Sequence, residues 1–263
     1  MHITSRDNSL LREARAVRDG KIEELIFIEG LRLSEEAYRS SLKIEAVIVS
    51  EELQRKERAA TAINELSRVS RRVASVSEKL LESISYTKTP QGIVVLAQRP
   101  ESSEERLAKN LNANSLLVAL HQINNPVNVG AILRTAEAAG ATGVITTSNT
   151  SDPFSPKSLR GAMGSAFRLP IWSGVSFDEA IAWCRKRGIA SVCADAEATT
   201  AYTEIDWTRP SALILGPEST GFTAEELDSA EQRVRIPMKG AAESLNVSVA
   251  AGVLLFEAAR QRL

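Results

Sequence analysis

The C-terminal half of the chain carries short, continuous apolar runs, and this feature narrows the fold more than any other. Residues 116–120, 143–146, 189–194, 212–215 and 234–236 read as strands, and runs that apolar, without in-and-out alternation, require a sheet covered on both faces. Helical patterns separate them at 129–139, 177–187 and 224–230. The last two open on Ser176 with Glu179 and Thr223 with Glu226, in the spacing of a capping box. A final helix is predicted from about residue 245 to 261. Its expected buried stripe is Leu245, Val249, Val253 and Phe256, with Leu254 and Leu255 broadening it toward a second buried surface. The pattern predicts an open α/β domain with a parallel sheet, whose ligands sit beyond the carboxyl ends of the strands.

The first hundred residues repeat the alternation on a smaller scale. Strands are expected at 25–28, 46–49, 73–76 and 93–97, and helices at 51–66 and 78–84. A length of 263 residues accommodates two such domains. The polar stretch 100–114 has no strand signal and reads as a linker, partly helical because Ser102 and Glu105 have capping spacing. The expected boundaries are therefore 1–100 with an N-terminal helical extension, 101–113, and 114–263.

Composition removes several function classes. Two cysteines, Cys184 and Cys193, and two histidines, His2 and His121, give no disulfide framework and no metal-ligand spacing. No apolar run reaches membrane-spanning length, and Arg6, Asp7, Arg12, Glu13 and Arg15 lie where a signal peptide would be apolar, so a cytoplasmic protein is expected. A net charge of -1 supplies no global field for nucleic acid. Any such contact must use a local patch: Arg12, Arg15, Arg18 and Lys21; Arg55, Lys56 and Arg58; or Arg68, Arg71 and Arg72. Each run equally fits a solvated helix face. With 5% aromatic residues, recognition through phosphates and folded shape is expected rather than a broad stacking platform.

The run from Gly216 to Thr223 nearly matches a nucleotide phosphate loop, but Phe222 occupies the lysine position and Glu218 would repel phosphate. His121 reads as a hydrogen-bonded histidine at a strand end, with no obvious dyad partner nearby. Three other segments combine backbone-shaping residues with polar groups. Asn124-Asn125-Pro126-Val127-Asn128-Val129-Gly130 leads into a helix, with Asn128 expected near the N-cap and Arg134 about two turns in. Leu213-Ile214-Leu215-Gly216-Pro217-Glu218 is a strand breaking into a carboxylate. Ile236-Pro237-Met238-Lys239-Gly240 runs on through Glu243-Ser244-Leu245-Asn246-Val247-Ser248 into the last helix. Taken singly, each is equally an ordinary capped helix or turn.

Together the three segments resemble the SpoU (TrmH-like) family of RNA ribose 2'-O-methyltransferases, in the SPOUT superfamily, over about residues 116–263. Residues 157–170 resemble that family's middle segment. Phe27-Ile28-Glu29-Gly30 with Gln91-Gly92-Ile93-Val94 resembles the ribosomal-protein-like RNA-binding domain often fused to it. The resemblance implies a deep C-terminal trefoil knot, which the rarity of knots would otherwise argue against. It implies S-adenosylmethionine as cofactor, held by Leu215, Gly216, Ile236, Met238 and Leu245, with no metal. It also implies a catalytic set of Arg134, Asn128, Glu218, Ser244 and Asn246, and a homodimer with the site near its interface. The substrate implied is structured RNA, with ribosomal RNA favoured by the fused first domain. A transfer-RNA enzyme, a base methyltransferase and an inactive RNA-binding relative are the alternatives.

Overall fold

The computed structural model describes residues 1–263 and divides the chain into two units: Met1–Pro100 with Phe154–Arg168, and Glu101–Pro153 with Leu169–Leu263. The run 154–168, expected within the C-terminal domain, thus groups with the first unit.

The first unit follows the order β1 (His2–Ile3), α1 (Ser9–Arg18), β2 (Leu25–Glu29), α2 (Leu31–Arg39), β3 (Ile44–Ser50), α3 (Glu51–Gln54), α4 (Glu57–Val69), β4 (Arg72–Val76), α5 (Glu78–Ile84) and β5 (Ile93–Gln98). Its sheet has the order β1-β4-β3-β5-β2 and is mixed, because β5 runs antiparallel to both neighbours. The helix expected over 51–66 is two helices. Ser50 caps the first, which closes through turns from Glu52 to Arg55 and Leu53 to Lys56 before α4 begins. Gly30, at φ +102°, is where the chain leaves β2 for α2, and a Cβ there would lie 2.7 Å from Gln91 Oε1. The two short motifs of this unit are therefore adjacent, and the Gly30 N–H donates to the Ile93 carbonyl.

The second unit opens with α6 (Glu104–Ala108), β6 (Leu116–Leu120), α7 (Pro126–Ala138) and β7 (Gly143–Thr147). Two helices, α8 (Pro156–Ala162) and α9 (Ser165–Arg168), then lie with the first unit, where Arg168 donates to Glu36 at 2.5 Å. The second unit resumes with β8 (Ile171–Val175), α10 (Phe177–Lys186), β9 (Ala190–Ala194), β10 (Ser211–Leu215), α11 (Ala224–Ser229), β11 (Gln232–Val234) and α12 (Val247–Gln261). All six strands are parallel, in the order β11-β9-β10-β6-β7-β8. β6, β7 and β10 are buried throughout, as their unbroken apolar character requires. The expected linker is not a free tether: Leu107 is buried in this unit's core, and Glu104 accepts from Trp183 Nε1 and Arg187 Nη2, both at 2.8 Å.

Two helix starts and one helix face differ from the sequence expectation. Asn125, not Asn128, caps α7: its side chain accepts from Val127 N–H and Pro126 takes the first helical position, where proline's missing donor costs nothing. Asn128 lies in the first turn and is buried. Likewise α12 starts at Val247 because Asn246 caps it. The buried face of α12 is Ala251, Leu254, Leu255 and Ala258, turned toward α7, so Leu254 and Leu255 are core residues rather than a second surface. Of the expected stripe, Val249 and Phe256 face outward, each 53% exposed, Val253 is half-buried, and Leu245 precedes the helix. Small residues explain the choice of face: Gly252 lies against Thr135, and Ala251 and Ala258 let two backbones approach.

Candidate active site

Parallel strands send all their carboxyl ends to one rim, and the order of this sheet reverses between β6 and β10. Such a switch point opens a crevice between diverging loops. The loops after β9, β10 and β11, with the start of α12, enclose a cavity of about 530 Å³ at this rim, on the β10 side of the switch point. Leu215, Gly216, Ile236, Met238 and Leu245, the five residues expected to hold a cofactor, all line it. So do Glu218, Ser244 and Asn246. Its walls are apolar side chains joined by Leu254, while Asp195, Glu197, Glu218 and Glu243 oppose Arg235 among its charged lining residues.

Hydrogen bonds tie the three distant segments together beside this cavity. Asn128 Nδ2 donates to Glu218 Oε1 at 2.7 Å, and Asn246 Nδ2 approaches Asn128 Oδ1 at 3.4 Å. A carboxylate only accepts, which fixes the orientation of the Asn128 amide and leaves its oxygen for Asn246. The Asn246 oxygen is occupied at 2.9 Å by the Ser248 N–H and at 2.6 Å by its hydroxyl. One chain of polar side chains thus runs from the α12 cap through the first turn of α7 to the loop after β10. Ser244 is exposed at the cavity.

Arg134 stands apart from this group. It is exposed on α7 and does not line the cavity. Six residues separate it from Asn128, which places the two on different sides of the helix, whereas Val127, seven residues before it and 45% exposed, shares its face.

Behind the cavity lies a cluster that the sequence reading did not assemble. His121, at the end of β6 and 3% exposed, has Nε2 at 2.9 Å from Glu226 Oε1 and Nδ1 at 3.0 Å from Thr147 Oγ1. The partner thought absent is therefore Glu226, 105 residues away. Burial holds the imidazole below the usual histidine range, with the Glu226 carboxylate working against that shift. Phe222 stacks nearly parallel on the ring, at 6° and 6.0 Å between centroids, and Phe177 meets it edge-on at 4.7 Å.

Residues 115–256 match the family model described as the SpoU rRNA Methylase family. The chain belongs to that family. Residues 11–95 match the MRM3-like substrate binding domain. The 23S rRNA (guanosine-2'-O-)-methyltransferase RlmB of Vibrio vulnificus is 32% identical over 79% of this chain and 85% of its own length. The 23S rRNA (guanosine(2553)-2'-O)-methyltransferase RlmP of Bacillus subtilis is 31% identical over 87% and 86%. An AdoMet-bound rRNA methyltransferase from Sinorhizobium meliloti superposes with a TM-score of 0.86 at 32% identity, over 100% of this chain and 98% of that one.

Within this SpoU methylase, the charged and aromatic cavity residues that the sequence did not assign to the site are Asp195, Glu197, Phe222, Arg235 and Glu243. Asp195 and Glu197 carried a signal, because they follow directly on an apolar strand at the rim where ligands collect. His121 carried a fainter one: it is the polar residue that ends the apolar run of β6.

Proposed function

We propose that this SpoU-family enzyme transfers a methyl group from S-adenosylmethionine to a ribose 2'-hydroxyl of structured ribosomal RNA. The single observation that carries the reading is that two distant segments line one cavity at the carboxyl rim of a parallel sheet while a third is hydrogen-bonded to both through Asn128. The residues present suit the cofactor. A volume of about 530 Å³ accommodates a nucleoside-sized ligand, the apolar walls suit an adenine, and the four carboxylates complement a cation. Leu215 and Gly216 would hold it through main-chain groups, with Ile236, Met238 and Leu245 as walls. When bound, the cofactor supplies an electrophilic methyl group on a positively charged sulfur.

The protein's own contribution is alignment and charge. Arg134, which does not line the cavity of its own chain, is assigned to clamp an RNA phosphate through its planar fork and stabilise the charge developing on the ribose oxygen, with the proposed homodimer bringing its α7 face to the site. It is not the proton acceptor, because a guanidinium stays protonated. Asn128, Glu218 and Asn246 hold the loops in register, and Ser244 completes the pocket. The fold is further proposed to be a trefoil knot, in which the chain after β11 passes through the loop ahead of it and delivers α12 to α7. Residues 1–100 are assigned to RNA binding and 114–263 to the knotted domain, with 101–113 between. The matches to 11–95 and 115–256 support that division. A homodimer is proposed on the outward face of α12, where Val249 and Phe256 are exposed, and on the α7 face that carries Val127 and Arg134.

Incubation with ribosomal RNA and methyl-labelled cofactor, followed by nucleoside analysis, tests the reaction. Label is expected on a 2'-O-methylribose, and label on a base or nowhere overturns the reading. Arg134→Ala should lower turnover at least about a hundredfold while calorimetric cofactor affinity stays within about twofold. A variant with full turnover removes Arg134 from the mechanism.

A further inference from the structure

His121 holds both ends of the loop that forms one wall of the cavity. Its main-chain N–H donates to the Leu215 carbonyl at 2.9 Å, at the point where β10 gives way to that loop. Its side chain reaches Glu226 and Phe222 at the other end. The bonding fixes the tautomer. Glu226 can only accept, so Nε2 carries the proton; the Thr147 hydroxyl accepts the Gln122 N–H at 3.2 Å, and its single proton faces Nδ1 at 3.0 Å in preference to the Ser148 carbonyl at 3.3 Å. The second Glu226 oxygen accepts the Thr223 N–H at 2.8 Å, closing the capping box of α11. Phe222 is pressed between the imidazole and the start of the loop, since a Cβ on Gly216 would lie 2.6 Å from its ring. The other side of this loop presents Gly216, Glu218, Gly221 and Phe222 to the cavity.

We infer that His121 and Glu226 are a positioning pair that sets the shape of the 216–223 cofactor-binding wall, without touching the reacting atoms. The inference rests on the reading that this cavity takes S-adenosylmethionine. A neutral imidazole suits the task, because it offers a flat face for Phe222, a donor for Glu226 and an acceptor for Thr147 in one rigid ring. Losing the donor leaves the Glu226 carboxylate without its buried partner, and the wall relaxes.

His121→Phe keeps a ring for stacking and removes the hydrogen bond, whereas His121→Gln restores a donor toward Glu226. Calorimetry with S-adenosylmethionine and S-adenosylhomocysteine should show His121→Phe binding both about tenfold more weakly, with His121→Gln regaining most of the loss. KM for the cofactor should rise while kcat at saturation stays within about twofold. Amide exchange should quicken across 216–226 and stay unchanged in β6 and β10. Glu226→Leu, which removes the acceptor for Nε2, gives the same readouts should His121→Phe not fold. Wild-type affinity in both His121→Phe and Glu226→Leu, a fall in kcat at constant KM, or no rescue by glutamine would overturn the inference. Absence of cofactor binding by the folded wild-type protein would instead overturn the function proposed for the cavity.

Discussion

The two units use the same ingredients, strands between amphipathic helices, and reach opposite kinds of surface. In the first, β1 to β4 run parallel to one another and β5 alone is reversed, inserted between β3 and β2. In the second, six parallel strands send every carboxyl end to one rim, and loops from distant parts of the chain meet there. Charge follows topology. Several of the first unit's basic side chains are held by neighbours: Arg72 by Glu13 in a bidentate pair, Arg71 by Glu45 at 3.3 Å, and Arg39 and Arg168 by Glu36. In the second, carboxylates gather around a cavity. The units thus differ by one reversed strand and by where their charges meet, in ion pairs in the first and around the rim cavity in the second.

A pair of core truncations would break that contrast most sharply. Leu254→Ala removes a buried side chain of α12 that also lines the cavity. It should cost about 3 kcal/mol in urea unfolding and weaken cofactor binding as well. Leu66→Ala, equally buried on α4 of the first unit, should cost a similar amount and leave cofactor affinity unchanged. If the two variants lose cofactor affinity equally, the cavity is not a property of the second unit alone.

A smaller effect sharpens the account of the first unit. Glu13→Gln frees Arg72 from its bidentate partner, which is largely solvent-facing with Arg72 42% exposed. Stability should fall by no more than about 1 kcal/mol, and affinity for RNA at low salt should rise slightly, with a steeper salt dependence. A larger loss in urea unfolding would show that these pairs hold the fold rather than merely neutralise the surface.

Much of this architecture is legible in the sequence, and the exceptions have physical causes. The buried parallel strands declare themselves because nothing polar survives between two helical layers. β8, Ile171–Val175, escapes notice because it is an edge strand with Ser173 and Gly174 inside it, the latter at φ +80°. The cavity residues of the second and third segments are found from their resemblance to a known family, since no periodicity links Gly216 to Leu245. The His121 cluster is invisible for another reason. Glu226 is fully accounted for locally as a capping-box residue, and Phe222 reads only as a lysine that is missing, until the fold brings both to a histidine more than a hundred residues earlier in the chain.

The smallest expected effect concerns the protonation of that histidine. Burial lowers its pKa, so acidification protonates the unfolded chain, near the ordinary value of about 6.5, before the folded one. Its contribution to stability is therefore complete above that value and declines as pH falls from there toward the folded pKa. Other groups titrate in the same range, so the informative quantity is the difference between wild type and His121→Gln, measured by urea unfolding at pH 8, 7, 6.5, 6 and 5.5. The gap should stay constant down to about pH 6.5 and narrow below it. A gap that widens on acidification would mean that the attraction of Glu226 outweighs burial and the imidazole is held charged. Thr147 would then have to accept from Nδ1 rather than donate to it, and the hydrogen-bond order behind the cofactor wall would run in the opposite direction.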